Sequence, residues 1–103
     1  MNIAIDLDNT ITASRQSIEF LEVLTHLLWS DHKIYILTDR EPNSEQLVAD
    51  ELDYMGIEYS RIIITKDKAQ FLKDNNIEIY LEDEEFLFSR EKMGFIQKSM
   101  KDE

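Results

Sequence analysis

Cysteine is absent from this chain of 103 residues, which removes disulfide frameworks, thiolate metal centres and cysteine nucleophiles at once. Basic residues are scarce: 11 Lys and Arg stand against 22 Asp and Glu, a formal net charge of -11. That balance argues against extended nucleic acid as the natural partner and leaves room only for a local basic pocket. No apolar run reaches the roughly 18 residues of a membrane span, and Met1 leads into a strand pattern without a basic region or apolar signal core. A soluble, cytoplasmic protein with no membrane partner is expected. Glycine and proline are rare, at two and one, and each falls at a predicted helix boundary: Pro42 before the second helix, Gly56 after it, and Gly94 after a fourth. No linker, repeat or low-complexity segment is evident, and the length suits one domain with a modest core.

What is present is an alternation of two hydrophobic periods. Residues 2–7 read as a short strand that is apolar on both faces, as a central parallel strand should be. Between Thr12 and Ser17 several N-cap candidates precede Ile18, Leu21, Leu24 and Leu28, with Phe20 and Leu27 widening the stripe, so a helix is expected as far as about Asp31. A second strand spans 33–38. Capping residues around Ser44 then introduce a helix carrying Leu47, Val48, Leu52 and Met55, closed by Gly56. Tyr59–Thr65 predicts the third strand, Asp67 with Gln70 a capping box for the third helix, and Glu78–Leu81 the fourth strand. Glu84–Met93 is expected to be helical, and Phe95–Gln97 to form a short edge strand in preference to a helix continuing to Met100. Strands alternating with helices predict an α/β domain over 1–97: a parallel sheet of four to five strands with helices on both faces, followed by a flexible tail at 98–103.

The chemistry gathers where these strands end. Asp6 and Asp8 close the first strand, and alternation lets side chains two apart point the same way. With ten Asp in the chain, about one Asp-x-Asp is expected by chance, so the pair alone decides little. Two acids at one strand end repel unless a cation or a shared proton offsets them, which points to a metal ion. Thr38, Asp39 and Arg40 end the second strand, Lys66 and Lys68 follow the third, and Glu82 and Asp83 end the fourth. Parallel strands bring all of these to one sheet edge, the edge at which open α/β sheets bind ligands. Acids, a hydroxyl and cations together suit phosphoryl transfer.

In this order the four segments Ile3–Thr10, Ile34–Thr38, Lys66–Lys68 and Ile79–Asp83 resemble the four motifs of the haloacid dehalogenase-like (HAD) hydrolase superfamily, chiefly phosphatases. The resemblance implies a single three-layer Rossmann-like domain, here without a cap domain because neither usual insertion point has room for one. It implies that Asp6 attacks phosphorus to form an aspartyl-phosphate, and that Asp8 first protonates the leaving oxygen and then activates water. For that first step Asp8 should have a raised pKa, through nearby carboxylates and partial burial. Mg²⁺ is the implied cofactor, held by Asp6, the main-chain carbonyl of Asp8 and an acid of the fourth motif, Asp83 in preference to Glu82. Asn9, Thr38, Arg40 and a lysine would contact the substrate. Lys68 is favoured over Lys66 for its spacing and its place at the start of a helix. The implied substrate is a small phosphate ester, with nucleotides among the candidates, and its open site would give little selectivity.

Two other functions compete with an enzyme. A binding or regulatory module could keep the fold and the site yet turn over slowly or not at all, although it would have no need of Asp8 as an acid. A phosphoacceptor receiver domain would need its acceptor Asp at the end of the third strand, where Ile62-Ile63-Ile64 instead runs into Thr65. Taken singly, Thr38 could merely end a strand, the lysines could be ordinary helix charges, and 82–85 a solvated acidic turn. For His26 a place on a helix face or in the core is expected rather than metal binding, and for His32 a place at the surface. Trp29, Tyr35 and Tyr80 are expected to pack in the core or at its edge.

Overall fold

A computed structural model of the chain describes residues 1–82 throughout, and the strands at 85–89 and 95–99 as backbone. Six strands form one sheet: β1 (Asn2–Asp6), β2 (Lys33–Thr38), β3 (Arg61–Ile64), β4 (Ile79–Leu81), β5 (Glu85–Ser89) and β6 (Phe95–Ser99). Their order across the sheet is β3-β2-β1-β4-β5-β6, with β1 to β4 parallel, β5 antiparallel to β4, and β6 antiparallel to β5. Three helices connect the parallel strands: α1 (Arg15–Leu28), α2 (Glu45–Met55) and α3 (Lys68–Asp74).

The alternation of β1 builds two cores. Ile3, Ile5 and Leu7 face one way and pack with Ile34, Ile36, Leu21 of α1, and Val48 and Leu52 of α2. Ala4 faces the other way, with Tyr35, Leu37, Tyr80 and Leu72 of α3. Tyr35 meets Phe71 of α3 edge to face, at 5.4 Å between ring centroids. The chain steps from β1 outward through β2 to β3 and then returns to β4 on the far side of β1. Right-handed crossovers put a helix on one face for the outward steps and on the opposite face for the return, which is the arrangement seen. The reversal makes β1, with its neighbours β2 and β4, the topological switch point of the sheet.

Local signals in the sequence account for the helix ends. Of the N-cap candidates before α1, Ser14 takes the role, its Oγ accepting from Ser17 N at 3.0 Å. Asp67 caps α3 by accepting from Gln70 N at 3.1 Å. Gly56 ends α2 with φ of 76°, a left-handed conformation, and an added Cβ there would lie 3.0 Å from Glu22 Oε2.

Several expectations need correction. Phe20 and Leu27 do not widen the buried stripe of α1; they are 56% and 71% exposed. The stripe is centred instead on Leu21 and a fully buried Thr25. Burial of that hydroxyl is tolerated because it donates to Leu21 O at 2.7 Å and accepts from Glu58 N at 3.1 Å, tying α1 to the segment before β3. Leu47 of α2 and Trp29 are likewise substantially exposed, whereas Tyr35 and Tyr80 are buried as expected.

The helix expected over Glu84–Met93 is overturned by β5, which pairs Ile79 with Phe88 and Leu81 with Phe86. Phe-Leu-Phe is good strand material, and pairing covers an edge of β4 that a helix would have left open. The sheet therefore carries two further strands, each in antiparallel pairing, beyond the four parallel ones. β6 extends past the expected 95–97 to Ser99, so Lys98 and Ser99 of the expected tail pair with β5; Gly94 and 100–103 lie outside the described residues.

Candidate functional site

Register fixes the site's edge. Asp6 is level with Leu37, Thr38 with Ile64, and Ile5 with Leu81, so Asp6, Thr38 and Glu82 all stand at the carboxyl ends of neighbouring parallel strands. Asp6 continues the Ala4 face of β1, the face covered by α3. Lys68, the first residue of α3, reaches it there: Nζ lies 2.6 Å from Asp6 Oδ1, and the carboxylate is only 14% exposed. Lys66 turns elsewhere and donates to the main-chain oxygen of Asp39 at 2.7 Å. Of the two lysines, Lys68 is thus the one beside Asp6.

Asp8 lies beyond the end of β1, in a turn that passes through a left-handed Asn9 at φ of 64°. Asn9 is exposed, and its backbone N–H donates to Thr12 Oγ1 at 3.1 Å; its residue type is accounted for by that conformation, which Asn tolerates well. Thr38, buried at the end of β2, donates its hydroxyl to Asp8 Oδ2 at 3.1 Å and accepts from Arg40 N at 3.3 Å. Arg40 grips the same carboxylate side-on, with Nε to Oδ2 at 3.3 Å and Nη2 to Oδ1 at 2.8 Å. Its other edge is held end-on by Glu51 of α2, Nη1 to Oε2 at 2.9 Å and Nη2 to Oε1 at 3.0 Å. Thus Asp8, Thr38, Arg40 and Glu51 form one connected network, and Asp6 with Lys68 forms a second beside it.

These contacts decide the charge state of Asp8. Hydrogen bonding from Arg40 holds its carboxyl below the usual carboxylate value, against the opposing effect of burial and with help from the Arg40 charge, the Thr38 hydroxyl and the Lys68 charge. The expected upward shift is therefore reversed, because the neighbours that matter are cations and a donor rather than other acids. Arg40 in turn is held still more firmly protonated, by Asp8 first and Glu51 second.

The offset demanded by two acids at one strand end comes here from the protein's own cations. Among the described residues no group of three His, Cys, Asp or Glu side chains could hold a metal ion, and Asp83, the expected third ligand, lies outside the described residues. One polar group at this edge is unsatisfied: Thr10 Oγ1 is buried with no hydrogen-bond partner among the described residues. His26 and His32 play no part in the site; His26 Nε2 lies 3.1 Å from Gly56 O, and His32 Nδ1 2.8 Å from the Met1 amino group.

Sequence reasoning missed Glu51 and Thr10. Glu51 looks like any solvated helix acid, and the one available signal was indirect: a partly buried arginine at a strand end requires more than one acceptor. No helix among the described residues is long and apolar enough to cross a membrane. No protein-family model, no curated protein and no solved structure matches the chain.

Proposed function

We propose that the chain is a phosphate-monoester hydrolase with a Rossmann-like core akin to that of the HAD phosphatases, working in the cytoplasm on a small phosphorylated substrate, with nucleotides among the candidates. The observation that carries this reading is the pairing of Asp6 with Lys68 at 2.6 Å on the switch-point edge, beside an Asp8 anchored by Thr38 and Arg40. A carboxylate with an ammonium at its side is placed to attack phosphorus while the ammonium receives the charge of the equatorial oxygens. In the first step an Asp6 oxygen bonds to phosphorus, the bond from phosphorus to the ester oxygen breaks, and that oxygen takes a proton. In the second, water loses a proton to Asp8 and attacks phosphorus, releasing inorganic phosphate and restoring Asp6.

Asp8 as it stands, ionised by Arg40, is equipped for the second step. To supply the proton of the first, it must exchange Arg40 for a proton, which an incoming phosphoryl group can bring about by drawing the guanidinium to itself. A Mg²⁺ ion in this scheme would be held by Asp6, the Asp8 carbonyl and Asp83, and would supply further neutralisation of phosphoryl charge. The test is a screen of phosphorylated metabolites with Mg²⁺, comparing wild type with Asp6→Asn; phosphate release that depends on Asp6 supports the assignment, and release equal in both removes it.

The tight engagement of Asp8 favours one second reading, a phosphate-binding regulatory module. It would bind phosphorylated ligands and release no phosphate in the same screen.

A further inference from the structure

Arg40 presents two hydrogen-bonding edges, and each is occupied by a different carboxylate. The Nε/Nη2 edge holds Asp8, and the Nη1/Nη2 edge holds Glu51. The two acids differ in how firmly they are mounted. Glu51 lies mid-helix in α2, next to Leu52 and three residues beyond Val48, both fully buried, so its backbone cannot shift without disturbing the core. Asp8 sits in a turn beyond the end of β1; the two side chains are similarly exposed, 42% and 36%, so the difference lies in the backbone that carries them. An oxyanion arriving at the strand ends therefore competes with Asp8, not with Glu51, for the guanidinium.

We propose that Glu51 is a positioning residue that acts through Arg40: it fixes one edge of the guanidinium so that the other can pass from Asp8 to two oxygens of a phosphoryl group. A planar guanidinium clamped on one side matches the paired oxygens of phosphate on the other, which a lysine cannot do. Without Glu51, Arg40 belongs to Asp8 alone, and an anion must break an undivided ion pair to reach it. This device rests on the phosphate-ester reading, since it names the group that Arg40 receives. It also runs against simple charge counting, in which loss of an acid near an anion site strengthens anion binding.

The experiment measures binding of inorganic phosphate to the full chain by calorimetry, for wild type, Glu51→Gln, Glu51→Asp, Arg40→Lys and the Arg40→Lys/Glu51→Gln double variant, with a thermal melt for each to establish folding. Glu51→Gln is expected to weaken phosphate binding by about 3- to 10-fold, in the range of an ordinary net hydrogen bond, because the amide still accepts at one position. Glu51→Asp should recover part of that loss, and the Gln substitution should add nothing once Arg40 is Lys. Tighter binding in Glu51→Gln, an unchanged affinity, an equal loss in both backgrounds, or no phosphate binding by the wild type would each overturn the positioning role. The hydrolase reading fails separately, on absence of Asp6-dependent phosphate release, even if the coupling between Glu51 and Arg40 is found.

Discussion

Asp6 and Lys68 lie 62 positions apart in the chain, yet 2.6 Å separates carboxylate from ammonium. One is the last residue of β1 and the other the first of α3, so their meeting depends on the crossover that carries the chain from β3 back over the opposite face.

Replacing Asp6 with Asn should lower phosphatase turnover by about a thousandfold or more, because an amide is a poor nucleophile. Thermal melting should still show a cooperative transition. Steady-state kinetics that match wild type would end the covalent scheme.

Lys68→Met should lower kcat/KM by about 100-fold, whereas Lys66→Met should cost little, since only Lys68 reaches the Asp6 carboxylate. The comparison is made at fixed Mg²⁺ with melting curves alongside. A larger loss for Lys66→Met would exchange their roles.

Asp8→Asn should slow alkyl phosphates by about 100-fold and aryl phosphates with good leaving groups much less in the first step, as loss of a general acid does. Asp8 also contributes to stability in a pH-dependent way. Its folded pKa lies below its unfolded value, so the contribution is present above about pH 4 and is lost as pH falls through the folded pKa. The melting temperatures of wild type and Asp8→Asn should therefore differ at pH 7 and draw together as the pH falls through the folded pKa. A gap that persists in acid would separate the Arg40 contact from the ionisation of Asp8.

How much of this was legible beforehand follows the range of each interaction. The four parallel strands, the three helices between them and the edge bearing Asp6, Asp8, Thr38 and Lys68 could be read because periodicity, caps and strand ends are local. β5 could not, because Glu85–Ser89 is too short for its period to be decisive and its strand state is set by the open edge of β4. The downward shift of Asp8 was missed for a similar reason: it depends on Arg40, 32 positions away, which depends in turn on Glu51 in the following helix. Acid content suggested mutual repulsion; pairing across elements cancels it.

Magnesium at about ten times its dissociation constant should stabilise the chain by roughly 1.4 kcal/mol, a rise in melting temperature of about 5–10 °C for a domain of this size. Asp83→Ala should remove most of that rise. No shift in wild type at constant ionic strength would mean that Lys68 and Arg40 already meet the whole demand for positive charge.

Gly56→Ala should destabilise by about 1 kcal/mol or more, because the αL backbone at φ of 76° penalises a Cβ and the added carbon would press on Glu22. Urea unfolding measures it. A neutral or stabilising result would show that the end of α2 can adopt another backbone geometry.

The position of β1 between β2 and β4 has a consequence for how the molecule assembles. Its pairing with β2 closes a loop of about thirty residues, whereas its pairing with β4 joins Ile3 to Ile79 and must wait until the chain has passed β3 and α3. During synthesis the β1–β2–β3 half can form while the second edge of β1 stays bare, and Asp6 has no α3 beside it until Lys68 emerges. The closure of β1 onto β4 is thus the one that finishes the strand-end edge, and a chain halted short of β4 would have Asp8 and Arg40 in hand but lack that edge, while β5 and β6 add to it only afterwards.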